Sequence, residues 1–395
     1  MPVTINTPLT LQSGLVFPNR LVKAAMTEGL ADPRNRVTEE HLTLYRRWAE
    51  GGAGGLITGN VQIDRHHLER VGNVVIDAKT GEDEMDGFSR WAEAAKSNGA
   101  ALVMQVSHAG RQTPKLVNPR PAAPSPVALG LPGGQFGEPR AMTADEIGAV
   151  VEGFGRAAKV AKRTGFDGIQ VHAAHGYLLS SFLSPLANRR EDDWGGPLEN
   201  RARLLVDCVR EAKVQGGAGF SVSVKLNSAD FQKGGFSHAD CLMVIDILNG
   251  LGVDFVEISG GNYEQPKMMD MEGLEPSFEE TKRTSTRDRE AYFLSYAKSV
   301  QDRASMPLMV TGGFRTLSGM NAALASGEAD LIGIGRPLCV DTATPAKLLA
   351  GEIETADRWE AQLRIGPGLF GPHSPIKLVK ALNGFGAQGW YYEQL

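Results

Sequence analysis

The sequence predicts an α/β fold, a single closed (β/α)8 barrel (the TIM barrel), and three observations lead there. Short β-rich apolar runs alternate with amphipathic helical stretches along almost the whole chain; eight such runs can be counted; and several are apolar on both faces, as Leu308-Met309-Val310 is. Parallel strands covered by helices have this composition, whereas half-exposed antiparallel strands alternate in polarity. Repeated βα units imply right-handed crossovers into one parallel sheet, and eight strands favour closure over an open sheet. A length of 395 residues suits one barrel with long loops.

The predicted strands are Leu21–Met26, Gly55–Val61, Ala101–Val106, Gly168–Val171, Ser221–Leu226, Asp254–Ile258, Leu308–Thr311 and Leu331–Ile334. Helices are expected near Glu39–Glu50, Asp83–Ser97, Ala144–Thr164, Leu198–Lys213, Ala239–Asn249, Arg289–Asp302 and Thr316–Ala325, and the pattern is weakest after the eighth strand. Thr38 and Thr143 offer side-chain oxygens to open helix ends, and Pro197 suits a first helical position. Glycines at 51–52, 99, 165 and 250 follow helical stretches, where helices commonly stop. Two connections, Gly110–Ala141 after strand three and Gly260–Asp288 after strand six, exceed ordinary loop lengths. Both fall at the barrel end where active sites are assembled, so they are read as lids. Residues 1–340 are assigned to the barrel. The C-terminal extension, 341–395, ends in Gly389-Trp390-Tyr391-Tyr392, an aromatic cluster expected to pack on the barrel or on a neighbouring copy.

Bulk composition excludes several classes of function. Hydrophobic residues make up 42% and charged residues 22%, so the chain is globular rather than disordered. The net charge of −5 arises from mixed signs, with no basic stripe for nucleic-acid phosphates or anionic lipid. Cys208, Cys241 and Cys339 are too scattered for a disulfide framework, a zinc site or an iron–sulfur cluster, which implies free thiols in a reducing compartment. Without an export signal or a long apolar stretch, the expected location is the cytoplasm, with neither nucleic acid nor membrane as partner.

Candidate chemistry clusters after the strands. The loops after strands seven and eight read Thr311-Gly312-Gly313-Phe314-Arg315 and Gly333-Ile334-Gly335-Arg336-Pro337. Barrels often hold phosphate there, through glycine N–H groups with an arginine as a charged fork. After strand four stands His172-Ala-Ala-His175-Gly-Tyr177. It lacks a third metal ligand and the HExxH spacing, so zinc is disfavoured; two imidazole donors can hold one carbonyl oxygen while a phenol delivers a proton. Lys225 near the end of strand five has two functional readings, a Schiff-base nucleophile or a cation for a bound cofactor. Gln105 and the run His108-Ala-Gly-Arg111 add polar groups at the same end.

Together these features resemble the old yellow enzyme family of NADH:flavin oxidoreductases, in its single-barrel form, over roughly Thr10 to Val340. The most specific stretch is His172-Ala-Ala-His-Gly-Tyr-Leu-Leu-Ser-Ser-Phe-Leu-Ser-Pro-Leu-Ala-Asn-Arg-Arg, continued by Trp194-Gly-Gly-Pro-Leu-Glu-Asn-Arg-Ala-Arg203. Asn19-Arg20, the His-Ala-Gly-Arg run and the Gly-Ile-Gly-Arg run agree in order and spacing. The resemblance implies tightly bound, non-covalent FMN, with NADPH or NADH as reductant and an α,β-unsaturated carbonyl or nitro compound as acceptor. Hydride would pass from flavin N5 to the β-carbon and a proton from Tyr177 to the α-carbon. It also implies that Ala24, Ala25, Met26 and Thr27 line the isoalloxazine, and that Gly59, Gln105 and Lys225 contact the ring. Gly313, Gly335 and Arg336 would hold the phosphate, and His172 and His175 would grip the substrate oxygen. An assembly of identical subunits is expected.

The chain also departs from the family pattern. Many relatives carry arginine where Lys225 stands, so the bidentate fork is lost. One branch has cysteine at the position of Thr27 and a tyrosine where this chain has Gly29. Two alternatives stand beside the ene-reductase: a Schiff-base lyase or aldolase using Lys225 on a phosphate-binding barrel, and a non-catalytic flavin-binding barrel.

Overall fold

Eight parallel strands close into a barrel in the computed structural model, which describes residues 2–131, 133–265 and 294–359 and, further on, 362–363, 366, 368–371 and 374–395. The strands are β1 (Leu21–Lys23), β2 (Gly55–Ile57), β3 (Ala101–Ser107), β4 (Gly168–Ala173), β5 (Ser221–Asn227), β6 (Val256–Ser259), β7 (Leu308–Thr311) and β8 (Leu331–Ile334). Each pairs in parallel with its sequence neighbour, and β8 closes the ring on β1 through Ile332↔Leu21 and Ile334↔Lys23. The predicted strand one is shorter than expected, ending at Lys23, and Val61–Gln62 forms a separate short strand along β3.

Between and after the strands lie α1 (Glu39–Glu50), α2 (Met85–Lys96), α3 (Ala144–Arg163), α4 (Leu178–Leu183), α5 (Leu198–Gly216), α6 (His238–Asn249), α7 (Leu294–Gln301), α8 (Leu317–Ala325), α9 (Pro337–Val340), α10 (Thr344–Leu349) and α11 (Lys377–Glu393). The expected start of α7, residues 289–293, lies outside the described residues. Thr143 caps α3 as predicted: its hydroxyl accepts from Glu146 N at 3.2 Å, and Glu146 accepts from Thr143 N at 2.9 Å. Thr38 occupies the N-cap of α1, but its hydroxyl donates to the Leu30 carbonyl (2.9 Å), and the His41 ring accepts the Thr38 N–H instead. Pro197 is the N-cap of α5, one position before the predicted first turn. Gly165 ends α3 at φ +91°, a left-handed conformation that costs glycine nothing.

Strand alternation sorts the core into two layers. Val22, Ala24, Ile57, Val103, Phe255, Met309 and Leu331 point inward, while Leu56, Leu102, Ile169, Val224 and Ile332 pack under the helices. An N-terminal hairpin, Leu9–Thr10 with Val16–Phe17, plugs the bottom, where Phe17 meets Phe255 edge-on at 6.1 Å. Asn19 and Arg20 belong to this floor: Arg20 donates to the carbonyls of Thr7, Pro8 and Asp330 at 2.8–3.0 Å, and Asn19 Oδ1 accepts from Leu21 N and Gly54 N. Their agreement with the family pattern is therefore a matter of closure rather than chemistry.

Described residues of the C-terminal segment touch the barrel. Ala346 N donates to Gly51 O, Thr316 bridges Thr355, and the Arg70 guanidinium lies 4.1 Å from the Tyr392 ring.

Candidate active site

The inward face changes from apolar to polar going up the barrel. Val103 belongs to the floor, and two residues on comes Gln105, then Ser107; β4 contributes Gln170 and His172, β5 Lys225 and β6 Glu257. These side chains form one chain of contacts: Gln105 Nε2 donates to Gln170 Oε1 at 2.6 Å, Gln170 Nε2 to Glu257 Oε2 at 2.9 Å, and Lys225 Nζ meets Glu257 Oε1 at 2.8 Å. Burying either ion alone would be costly, so Lys225 and Glu257 are paired in register on adjacent strands. Sequence reasoning found Gln105 and Lys225 but missed Gln170 and Glu257. The available signal was a polar residue at an inward position of an otherwise apolar strand. The Lys225 amine is committed to this pair, which removes support for its use as a Schiff-base nucleophile.

His172, at 2% exposure, follows at the rim, with its ring 5.1 Å from His175 and 4.9 Å from Tyr177. Its Nδ1 accepts the Ala174 N–H at 3.2 Å, which leaves Nε2–H as the donor. His175 adopts φ +62°, held by Asn227 Oδ1 on its N–H (3.1 Å) and Gln112 Nε2 on its carbonyl (3.0 Å). Its Nε2 pairs with Ser259 Oγ at 2.8 Å, so Nδ1 is the nitrogen left over. Burial and the neighbouring Lys225 charge push both imidazoles well below the usual histidine range. They are therefore neutral hydrogen-bonding groups rather than acids at neutral pH.

Tyr177 is the N-cap residue of α4, and its hydroxyl lies 2.9 Å from that of Tyr263 on the loop after β6. Burial, with the nearby Glu69 carboxyl, pushes the Tyr177 phenol well above its ordinary value. Tyr263 went unnoticed in the sequence because the long second loop offers no periodic pattern. Gln112 locates it, accepting the Tyr263 N–H at 3.4 Å. The two long loops are also tied together by Glu264, which takes Arg111 Nη2 and Gly130 N, both at 2.7 Å. Much of the remaining motif is structural: Asn188 Nδ2 spans the carbonyls of Phe182 (2.8 Å) and Trp194 (2.7 Å), and Arg190 donates to those of Pro124 and Met142.

The other predicted residues gather at the same end. Ala24 continues the barrel pairing by donating to Ile334 O at 2.9 Å, Ala25 follows it half-buried, and Met26 Sδ lies 3.4 Å from Cys339 Sγ. Thr27 Oγ1 donates to Glu69 Oε2 at 2.9 Å. The Gly59 N–H is taken by Glu28 Oε1 at 3.0 Å, and its carbonyl accepts from Thr58 Oγ1 at 2.8 Å. Above Gly29 lies the Arg70 guanidinium, about where a side chain at 29 would extend. Gly312 and Gly313 take φ of +114° and +85°, turning the backbone at the end of β7, and Gly335-Arg336 lead from β8 into α9.

This donor set suits a flavin mononucleotide. Ser107 Oγ and Thr311 Oγ1, inward-facing at the top of β3 and β7, are buried without hydrogen-bond partners. Such groups are costly unless a ligand satisfies them. A side chain at Gly335 would meet nothing closer than Met26 Sδ at 3.6 Å, so the loop has room beside it.

Asp64, His67 and His108 also cluster, outside this set. His67 Nε2 accepts the Ala122 N–H (2.8 Å) and its Nδ1 meets Asp64 at 2.6 Å, so both ring nitrogens are used within the protein. Burial opposes it, but the His67 hydrogen bond and the charges of His108 and His67 hold Asp64 well below the usual carboxylate range.

The sequence profile of the NADH:flavin oxidoreductase / NADH oxidase family matches residues 4–354. The chain belongs to that family. It is an NAD(P)H-dependent flavin oxidoreductase of the old yellow enzyme type. It is 39% identical over 354 residues to "NADH-dependent flavin oxidoreductase iliE" of Neonectria sp., covering 86% of this chain but 46% of that protein. To the protein of the same name from Hypocrea jecorina it is 35% identical, covering 89% of this chain and 90% of the relative. Among solved structures, morphinone reductase superposes with a TM-score of 0.72 at 24% identity, over 90% of this chain and 91% of that one. The predicted fold class is thereby established, as is the resemblance read from the motifs. Among the described residues no helix is long and apolar enough to cross a membrane.

Proposed function

We propose that this enzyme is an FMN-dependent ene-reductase, which uses NADH or NADPH to reduce the activated double bond of an α,β-unsaturated carbonyl or nitro compound. The observation that carries this reading is the rim triad: His172 with a free Nε2–H donor, His175 beside it at 5.1 Å and the Tyr177 phenol at 4.9 Å from the His172 ring. Ala24 to Thr27, Gly59, Gln105 and Lys225 would border the flavin ring, and Gly313, Gly335 and Arg336 its phosphate. These residues would hold FMN, which when bound would supply the hydride chemistry between the nicotinamide and the electron-poor double bond.

The protein's own groups do the rest. Lys225, fixed by Glu257, would provide positive charge beside the flavin ring. The neutral histidines hold the acceptor oxygen and stabilise its developing negative charge, each worth roughly 10²-fold or more by analogy with oxyanion donors. Tyr177 gives its proton to the α-carbon. The names of relatives such as "NADH-dependent flavin oxidoreductase iliE" support NADH as the reductant.

The test is stopped-flow on the purified holoenzyme under anaerobic conditions. Tyr177→Phe should slow reoxidation by an enone by about 10²- to 10⁴-fold, with flavin bleaching by NADH unchanged. If both half-reactions fall together, Tyr177 is not the proton donor. If the wild-type flavin is never reoxidised by any enone or nitroalkene, the ene-reductase reading fails.

A further inference from the structure

Tyr177 can give its proton to the α-carbon only if its O–H points at the acceptor, which leaves its oxygen to accept a hydrogen bond from elsewhere. We propose that Tyr263, on the loop after β6, is the positioning residue that supplies this bond. Its hydroxyl donates to the Tyr177 oxygen, aims the Tyr177 proton at the acceptor and stabilises the phenolate left behind. The proposal rests on the reading of Tyr177 as proton donor.

The contact is direct. The two hydroxyl oxygens lie 2.9 Å apart, and the rings meet edge-on with centroids separated by 5.8 Å. The His172 ring meets Tyr177 edge-on as well, at 4.9 Å, so the phenol stands between a group that holds the acceptor and Tyr263. Either hydroxyl can be the donor in this pair. The chemistry chooses between them: a Tyr177 proton spent on Tyr263 is lost to the α-carbon, and a Tyr177 phenolate can only accept. A hydrogen bond to an ionised oxygen is roughly twice as strong as one between neutral groups. The bond from Tyr263 therefore tightens as the proton leaves, which favours the transition state over the ground state.

Tyr263 is placed by the same residues that place His175. Gln112 accepts the Tyr263 N–H through Oε1 at 3.4 Å and donates through Nε2 to the His175 carbonyl at 3.0 Å. Asn227 accepts the His175 N–H at 3.1 Å and donates to the Gly261 carbonyl at 3.0 Å. Asn262 forms a β-bridge with His175, and its Nδ2 donates to Gln232 Oε1 at 2.7 Å. This approach requires glycine at 176, where a Cβ would stand 2.6 Å from Gln112 Oε1 and 2.9 Å from Asn262 Cβ. Phe136, from the other long loop, packs against the Tyr263 ring at 5.9 Å. The Tyr263 hydroxyl is thus held in register with the His172–Tyr177 motif.

The step balances. A C–H bond forms at the α-carbon as the Tyr177 O–H breaks, and the electron pair of that O–H stays on the Tyr177 oxygen. Tyr263 keeps its own proton throughout, and water restores that of Tyr177. Neither tyrosine is oxidised or reduced.

Tyr263→Phe removes one hydroxyl and keeps the ring. In anaerobic stopped-flow, reduced holoenzyme of the wild type, Tyr263→Phe, Tyr177→Phe and the double variant is mixed with cyclohexenone. Tyr263→Phe should be reoxidised about ten- to hundredfold more slowly than the wild type, the worth of one hydrogen bond to a charged oxygen, while flavin bleaching by NADH keeps its rate. In the Tyr177→Phe background the same replacement should cost nothing further, because the oxygen it acts on is gone. An equal further loss in that background, or equal slowing of both half-reactions, means that Tyr263 merely shapes the pocket and overturns the proposal. Urea unfolding of the same proteins without flavin gives a second readout. The two replacements should be coupled by about two- to tenfold in the folding constant, and strict additivity also overturns the proposal. If Tyr177→Phe alone leaves the enone step at the wild-type rate, the proton-donor reading falls and the proposal with it. If Tyr177→Phe slows that step and Tyr263→Phe does not, the proposal falls by itself.

Discussion

Replacing Lys225 by methionine preserves most of its volume and removes its charge, leaving Glu257 in the barrel without its cation. The pair is separated by 2.8 Å, with side-chain exposures of 4% and 0%, so water cannot take over the solvation. Gln170 Nε2, at 2.9 Å, is a neutral donor and offsets only part of the loss. Removing one member of such a pair costs about 3–5 kcal/mol. For a chain of 395 residues, with an unfolding entropy of about 2.1 cal/mol/K per residue, that lowers Tm by roughly 4–6 °C. The assay is a double-mutant cycle on flavin-free protein by calorimetry: wild type, Lys225→Met, Glu257→Gln and both together. The double variant should recover most of the loss, with a coupling of about 2 kcal/mol or more. Strict additivity, with the double variant as unstable as the two singles combined, would refute the view that Lys225 and Glu257 are mutually dependent and return Lys225 to the list of free amines.

Lys23 offers a second test. It is wholly buried, donates to Ile57 O at 2.8 Å and lies 4.2 Å from the Trp48 ring; burial, only partly offset by Glu28, brings its pKa down to about 8. Because the folded value lies below the unfolded one, the unfolded chain binds more protons between pH 8 and 10.5, and stability should rise with pH across that window. Relative to Lys23→Met, the wild type should gain about 2–4 kcal/mol there in urea titrations, and a flat difference would refute the assignment. The Asp64–His67–His108 cluster should not act as a metal site. Zinc at a hundredfold excess over a true Kd would add about 2.7 kcal/mol, so an unchanged melting curve with zinc or with chelator is expected, and a clear rise would show that His67 can release the Ala122 N–H.

The helices and strands were legible because their signals are local. Leu308-Met309-Val310 can only be a doubly covered strand in such a pattern, and the Thr143–Glu146 box marks the start of α3 within four residues. The motif His172–Tyr177 and the glycine loops were visible because each is contiguous. Helix α4 was missed: its six residues, Leu178–Leu183, are all buried and therefore show no amphipathic period. Thr38 has the residue type and place of a side-chain cap, yet its hydroxyl donates to the Leu30 carbonyl, a partner brought near only by the incoming chain.

By itself the sequence determined the order of strands and helices, the closure of the barrel, the family and the position of the rim residues, all of which depend on periodicity and contiguous motifs. Tertiary structure alone decided which groups meet. Glu257 came to Lys225 because β5 and β6 pair in register, and Tyr263 came to Tyr177 across 86 residues of chain. Glu69 reached Thr27 across 42 residues, and Tyr392 of the C-terminal segment came to lie against Arg70. Such contacts follow from how far apart in the chain two residues can be and still share one desolvated pocket, and no local pattern encodes that distance.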